Sequence, residues 1–261
     1  MKDEPLQQVA LTKGKSMNLK MPNARAHHAV ASLERLRRAI FITASLVFAA
    51  APPIAAAAER AYRLAPFSAL ELNLAARYVV RNGSAASVLI RGRPEILDRI
   101  VIEEHDERVR IFVPGVLTDP GQLLIVIDTV GLKELQVKGA GEVEARGFTG
   151  RDFLLQLPGA AKIKLDALDV DKFRVEMSGS GSIEASGRAS TERVQIGGAG
   201  AFHAADLAAD SVEVKVQGVG DVEVMAREKL DVRLSGAGTV RYRGEPKLNT
   251  QIDGAGSVGR M

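Results

Sequence analysis

Residues 175–185 read VEMSGSGSIEA, and the same phrase returns as VQIGGAGAFHA from Val194, VKVQGVGDVEV from Val214 and VRLSGAGTVRY from Val232. Upstream it is LQVKGAGEVEA from Leu135 and LQLPGAAKIKL from Leu155; downstream it is TQIDGAGSVGR from Thr250. Aligned on the first corner glycine, the units fall at Gly139, Gly159, Gly179, Gly198, Gly218, Gly236 and Gly254, with spacings of 20, 20, 19, 20, 18 and 18 residues. A phrase repeated at so even a period is one structural coil used many times over.

Within each unit apolar and polar residues alternate on both sides of the corner, the period of a half-buried strand. Stacking the units puts Val137, Leu157, Met177, Ile196, Val216, Leu234 and Ile252 in one inward column. A second column beyond the corner holds Val143, Ile163, Ile183, Phe202, Val222, Val240 and Val258. A coil this short cannot bury such a face alone, so its neighbours must cover it. The glycines mark corners that need φ > 0 or close approach to the next coil, where a Cβ would obstruct. A helical reading fails, because glycines at every corner would each cost a helix about 1 kcal/mol relative to alanine.

The fold class that follows is all-β: a single-stranded parallel β-helix, or solenoid, with glycine-cornered coils of 18–20 residues. The handedness rule for parallel crossovers makes it right-handed. Residues 59–134 lack the regular corner but still read β, in LELNL from Leu70, SVLIRG from Ser87, RIVIEEHDERVRIFV from Arg99 and LLIVIDTV from Leu123. Turn signals stand at Asn82-Gly83 and Asp119-Pro120-Gly121. The expected organisation is therefore residues 1–58 as tail and signal peptide, 59–134 as irregular β coils forming the N-terminal part of the solenoid, and 135–261 as the regular repeat.

The leader reads LERLRRAIFITASLVFAAAPPIAAAAER from Leu33: a charged cluster, an apolar run over Ala39–Ala51, a proline pair and small residues. That is the layout of a cleavable secretory signal, with Ala-x-Ala available for cleavage after Ala57 or Ala58. The apolar run has 13 residues, whereas a bilayer-spanning helix needs about 20. The long stretch before it leaves two alternatives: a true start at Met17 or Met21, or a cytoplasmic tail on a retained anchor. The chain has no cysteine, so lipidation at an N-terminal cysteine is excluded.

The net charge of +3 suggests nucleic acid only at first sight. Eight of the 35 Lys/Arg but only three of the 32 Asp/Glu lie in residues 1–58, which leaves 27 basic and 29 acidic residues beyond them, a net of −2. The basicity belongs to the leader, and nucleic acid is not an expected partner.

With leader, irregular β opening, VGLKELQVKGAGEVEA from Val130 and the repeated glycine corner in hand, the chain resembles the "putative auto-transporter adhesin, head GIN domain" family over about residues 64–261. The resemblance implies a β-solenoid outside the cytoplasm and supplies no catalytic residues to carry over. Three departures stand out: Ala161 replaces the second corner glycine, Gly197 adds a glycine before the fourth corner, and Phe202 enters the second column.

Three residues past the second corner position the outer face presents Glu144, Lys164, Glu184, His203, Glu223 and Arg241. Strands in adjacent coils lie about 4.8 Å apart, so these are neighbours, and near-alternating charge helps fix register. His203 is read as one member of this ladder. No catalytic, cofactor-binding or metal-binding residue is expected. Asp166, Asp169 and Asp171 read as turn acids; Asp221, Glu142 and Ser182 form no calcium ladder; and the mature chain has only His105 and His203 for zinc.

The expected function is a non-enzymatic, adhesin-like binding or structural module of the bacterial envelope, without cofactors, contacting polysaccharide or protein through its outer faces. Two alternatives stay open: a lyase or glycosidase with its site in residues 59–134, and a scaffold that self-associates through coil edges. The expected location is periplasmic, outer-membrane-associated or extracellular in a Gram-negative bacterium, with membrane contact only through an uncleaved signal segment.

Overall fold

The structure, a computed structural model, describes residues 58–261; the leader lies outside the described residues. The first strands are β1 (Ala58–Arg63), β2 (Ala69–Asn73), β3 (Ala76–Asn82) and β4 (Ser87–Gly92), followed by the one-turn helix α1 (Pro94–Leu97). Next come β5 (Val101–His105), β6 (Arg108–Phe112), β7 (Leu124–Thr129), β8 (Glu134–Val137), β9 (Ala140–Arg146) and β10 (Thr149–Leu157). Four long strands each run through most of a coil: β11 (Ala160–Met177), β12 (Ser180–Ile196), β13 (Ala199–Val216) and β14 (Val219–Leu234). The last coil and its neighbour are completed by β15 (Ala237–Arg243), β16 (Lys247–Ile252) and β17 (Ala255–Arg260).

From β8 onward every pairing is parallel and the units stack as a β-solenoid of about six turns. Register runs corner on corner: Ile163 faces Ile183, which faces Phe202, which faces Val222. The buried positions in β11 alternate except at Asp166/Ala167 and Asp171/Lys172, where two successive residues point outward. Chain that keeps its apolar side inward through such a break has to turn there, so each coil has corners besides the glycine one.

Those outer corners absorb the uneven period. Between β11 and β12 the register slips at Leu165/Leu168, where the longer coil inserts Ala167 at φ 55°. Between β13 and β14 it slips at Ala204/Ala208 and again at Ala209/Ser211. The glycine corner itself does not slip, and its geometry explains why. A Cβ on Gly218 would sit 1.9 Å from the carbonyl oxygen of Gly198 in the coil before it. Close approach of backbones is thus what the first glycine serves. Positive φ occurs at the second glycine of some coils, as at Gly181 with φ 145° and Gly238 with φ 150°, whereas Gly200, Gly220, Gly256 and Ala161 hold the same slot without it.

Both predicted columns are buried from Val137 to Leu234 and from Val143 to Val240. The exception is the final coil, where Ile252 is 43% exposed and Val258 only partly buried, their strands pairing on one side alone among the described residues. A line of rings runs down the interior: Phe148 and Phe153 with centroids 5.2 Å apart, then Phe173 at 6.2 Å and Phe202 at 6.5 Å. Offset and tilted rings at these separations add to the burial of their area.

Residues 58–134 are wound differently. The coil made by β2 and β3 is wedged between β6/β7 on one side and β8/β9 on the other, so the chain passes over it between β7 and β8. Three pairings are antiparallel: β1 with β4, β4 with β7, and β5 with β6. The β5–β6 hairpin turns on Asp106 and Glu107, at φ 46° and 58°, the pair of positive φ values that a type I′ turn requires.

Candidate functional site

The outer ladder is in register: Glu144 faces Lys164, then Glu184, His203, Glu223 and Arg241 in successive coils. Its members choose partners unevenly. His203 Nδ1 lies 3.1 Å from Glu223 Oε2, and Arg241 Nη2 donates to Glu223 Oε1 at 2.6 Å. Glu184 turns to Lys162 at 3.6 Å, and Lys164 to Asp166 at 3.3 Å. Arg77 of β3 donates to Glu144 at 2.6 Å. Hydrogen bonds from Arg241 foremost, and also from His203, hold the Glu223 carboxyl below the usual carboxylate range against opposing burial.

Between Lys164 and Arg243 the ladder borders a polar cleft of 510 Å³ that also takes in Asp166, Glu184, His203 and Asp206. Its acids have partners: Ser186 donates to Asp166 at 3.2 Å, and Arg243 to Asp206 at 3.3 Å. Glycoside cleavage needs one carboxyl that keeps its proton beside one that does not. Glu223, with its pKa lowered, fills only the second role.

Asp169 accepts hydrogen bonds from Nε and Nη2 of Arg188, at 2.6 and 2.5 Å, which lowers its pKa; Asp171 is an exposed corner residue. Asp221 is separated from Ser182 by Ala201 in the intervening coil, and His105 sits in the β5–β6 turn beside Asp106. Among the described residues no three of His, Cys, Asp and Glu converge as metal ligands.

A second face carries an amide ladder, with Gln136 Nε2 donating to Gln156 at 3.0 Å and Gln156 Nε2 to Glu176 at 2.7 Å. Near the N-terminal coils an open groove of 890 Å³ is floored by Ala76, Val79 and Leu124 and flanked by Arg77 and Arg91. Both arginines are engaged, Arg77 with Glu144 and Arg91 with Glu59 at 2.5 Å.

Sequence reasoning missed three buried polar groups. Glu71 lies 3.1 Å from Arg110 and 3.0 Å from Lys138. The Tyr78 hydroxyl donates to the Leu74 carbonyl at 2.8 Å, and burial raises its pKa. Glu192 is fully buried with neither carboxyl oxygen hydrogen-bonded. Its signal was available: six residues before the five corner glycines from Gly159 to Gly236 lie Phe153, Phe173, Glu192, Val212 and Leu230, and only Glu192 is charged.

Among the described residues no helix is long and apolar enough to cross a membrane. Known structures share the architecture. A "putative adhesin" from Bacteroides fragilis superposes with TM-score 0.75 at 21% identity, covering 79% of this chain and 97% of that one. A "putative adhesin" from Parabacteroides merdae gives TM-score 0.56 at 16% identity, covering 78% and 96%. A "putative lipid binding protein" from Parabacteroides distasonis gives 0.55 at 20%, also covering 78% and 96%. No functionally curated protein matches the chain. The family described as "Putative auto-transporter adhesin, head GIN domain" matches residues 66–246, and the chain belongs to it.

Proposed function

We propose that this protein is a non-enzymatic, extracytoplasmic module of the bacterial envelope that holds glycan or protein against the long outer faces of its solenoid. The observation that supports this most is the outer ladder, where charged side chains recur every 4.8 Å or so and pair across coils. Such a surface is flat, repetitive and rigid, suited to an extended partner with a matching repeat. Membership of an adhesin-like family agrees with this reading, and the leader agrees with export.

The experiment is a glycan array together with an envelope pull-down using the full chain, repeated with Glu184→Lys and Glu223→Lys. Capture that weakens at least tenfold in both variants supports the reading; a blank array and pull-down oppose it.

A second reading, self-association through the coil edge, rests on Leu248 and Ile252. They are 41% and 43% exposed on β16, whose outer hydrogen-bonding edge is unpaired among the described residues.

A further inference from the structure

Glu192 occupies a position that the coil reserves for apolar side chains. It pairs in register with Phe173 of β11 on one side and Val212 of β13 on the other, and both are buried. The inward residues of its own coil are Ile183, Ala185, Ala189, Val194 and Ile196. The charged side chains flanking it in register face outward, among them Asp171, Lys172 and Arg174 on β11, Arg188 and Arg193 on β12, and Glu213 and Lys215 on β13. Arg188 is taken up by Asp169, and Arg193 by Glu213 at 2.9 Å. Among the described residues the other buried side chains with polar atoms include Glu71 on β2, Tyr78 on β3 and Thr129 on β7, all away from β12 in sequence.

A carboxylate stripped of water with no donor in reach is the costly form, so burial pushes the Glu192 carboxyl well above the ordinary range and favours its neutral form. The coil around it is also thinly filled. Ala185 stands where β11 has Leu165, and Ala189 where it has Val170. Less apolar surface is buried in this rung than in its neighbour, so it has less to lose by opening.

We propose that β12 is a proton-operated joint in the solenoid: closed while Glu192 is neutral, it parts locally from β11 and β13 when that carboxyl ionises, ahead of the rest of the stack. The sign follows from the raised folded-state pKa. The closed coil has its full stability below the unfolded value of 4.5 and loses it as pH climbs through the folded value. Between the two, one proton is released on opening, so the open population grows tenfold per pH unit. An opened rung bares the backbone edges of β11 and β13, ready to accept a strand from elsewhere.

Amide hydrogen exchange on the full chain tests this, at pH 5 to 9, with rates corrected for intrinsic exchange. In the wild type, protection of β12 amides is expected to fall by up to tenfold per pH unit while β14 amides hold theirs. In Glu192→Gln and Glu192→Leu both strands are expected to stay level. Identical wild-type and Glu192→Gln profiles, or a loss spread evenly over the stack, would overturn the proposal. Should either variant fail to fold, infrared difference spectra of the wild type decide. A neutral carboxylic acid band that persists at pH 7 and vanishes on alkaline opening supports the joint, and its absence at pH 7 refutes it.

Discussion

His203 and Glu223, one coil apart, share a 3.1 Å hydrogen bond whose acceptor carboxylate is also gripped by Arg241 of the following coil. Three coils are thereby tied through a single acid. Because the folded-state pKa of Glu223 is lowered, its contribution is present above the ordinary value of 4.5 and is lost as pH falls through the folded value. Glu223→Gln should cost about 0.5–1 kcal/mol at pH 7 and flatten the acid limb of the stability curve. Urea midpoints at pH 7 and pH 3 check this; equal midpoints for variant and wild type at both would mean the ladder carries no energy.

Gly197 and Gly198 are adjacent but make opposite demands. A Cβ on Gly198 would lie 2.0 Å from the Gly179 carbonyl oxygen, whereas one on Gly197 would find its nearest backbone oxygen 4.0 Å away. Gly198→Ala is expected to destabilise by about 2–3 kcal/mol, and Gly197→Ala by less than about 0.5 kcal/mol. Thermal melts of the pair distinguish close backbone approach from a general need for flexibility, which would penalise both alike.

Phe173 has Phe153 and Phe202 within 6.5 Å and no exposed surface, so truncation opens the core at its widest side chains. Phe173→Ala should lose about 3–5 kcal/mol in urea denaturation. Ile252→Ala, at the half-exposed equivalent of a column buried elsewhere, should lose less than about 1 kcal/mol. Similar losses at the two sites would contradict a core that ends before the last coil.

Leu248 and Ile252 also test self-association. If the β16 edge pairs with another copy, sedimentation velocity should show assembly that grows with concentration and disappears in Leu248→Lys/Ile252→Lys. A wild type that stays monomeric over the accessible range removes the second reading.

The regular solenoid was legible because its signal is redundant: corner glycines and the columns from Val137 and Val143 all give one register. The first described strands were not, since their pairing partners are distant in sequence. Nothing local in LELNL foretells that β2 lies between β6 and β8, nor does HDER announce a left-handed turn without glycine. Local pattern gives strands; the order of stacking depends on which edges meet. Of the candidate site, the ladder could be read from spacing, but the choice of partners could not: Glu184 turns to Lys162 and leaves His203 to Glu223, a matter of side-chain reach. Glu192 lies six residues before its corner glycine, outside the phrase that repeats from Val194.

The stack itself is tested most directly by cross-linking, for which a chain without cysteine offers a clean background. Glu176 on β11 faces Gln195 on β12, with Arg193 two residues off that register. Neighbouring parallel strands put facing Cα atoms about 4.8 Å apart, inside the range a disulfide spans, and two residues of offset take them beyond about 7 Å. Glu176→Cys/Gln195→Cys should oxidise to an intramolecular disulfide in near-complete yield, while Glu176→Cys/Arg193→Cys should remain reduced. Equal oxidation of both pairs, or preference for the offset pair, would contradict in-register parallel coils.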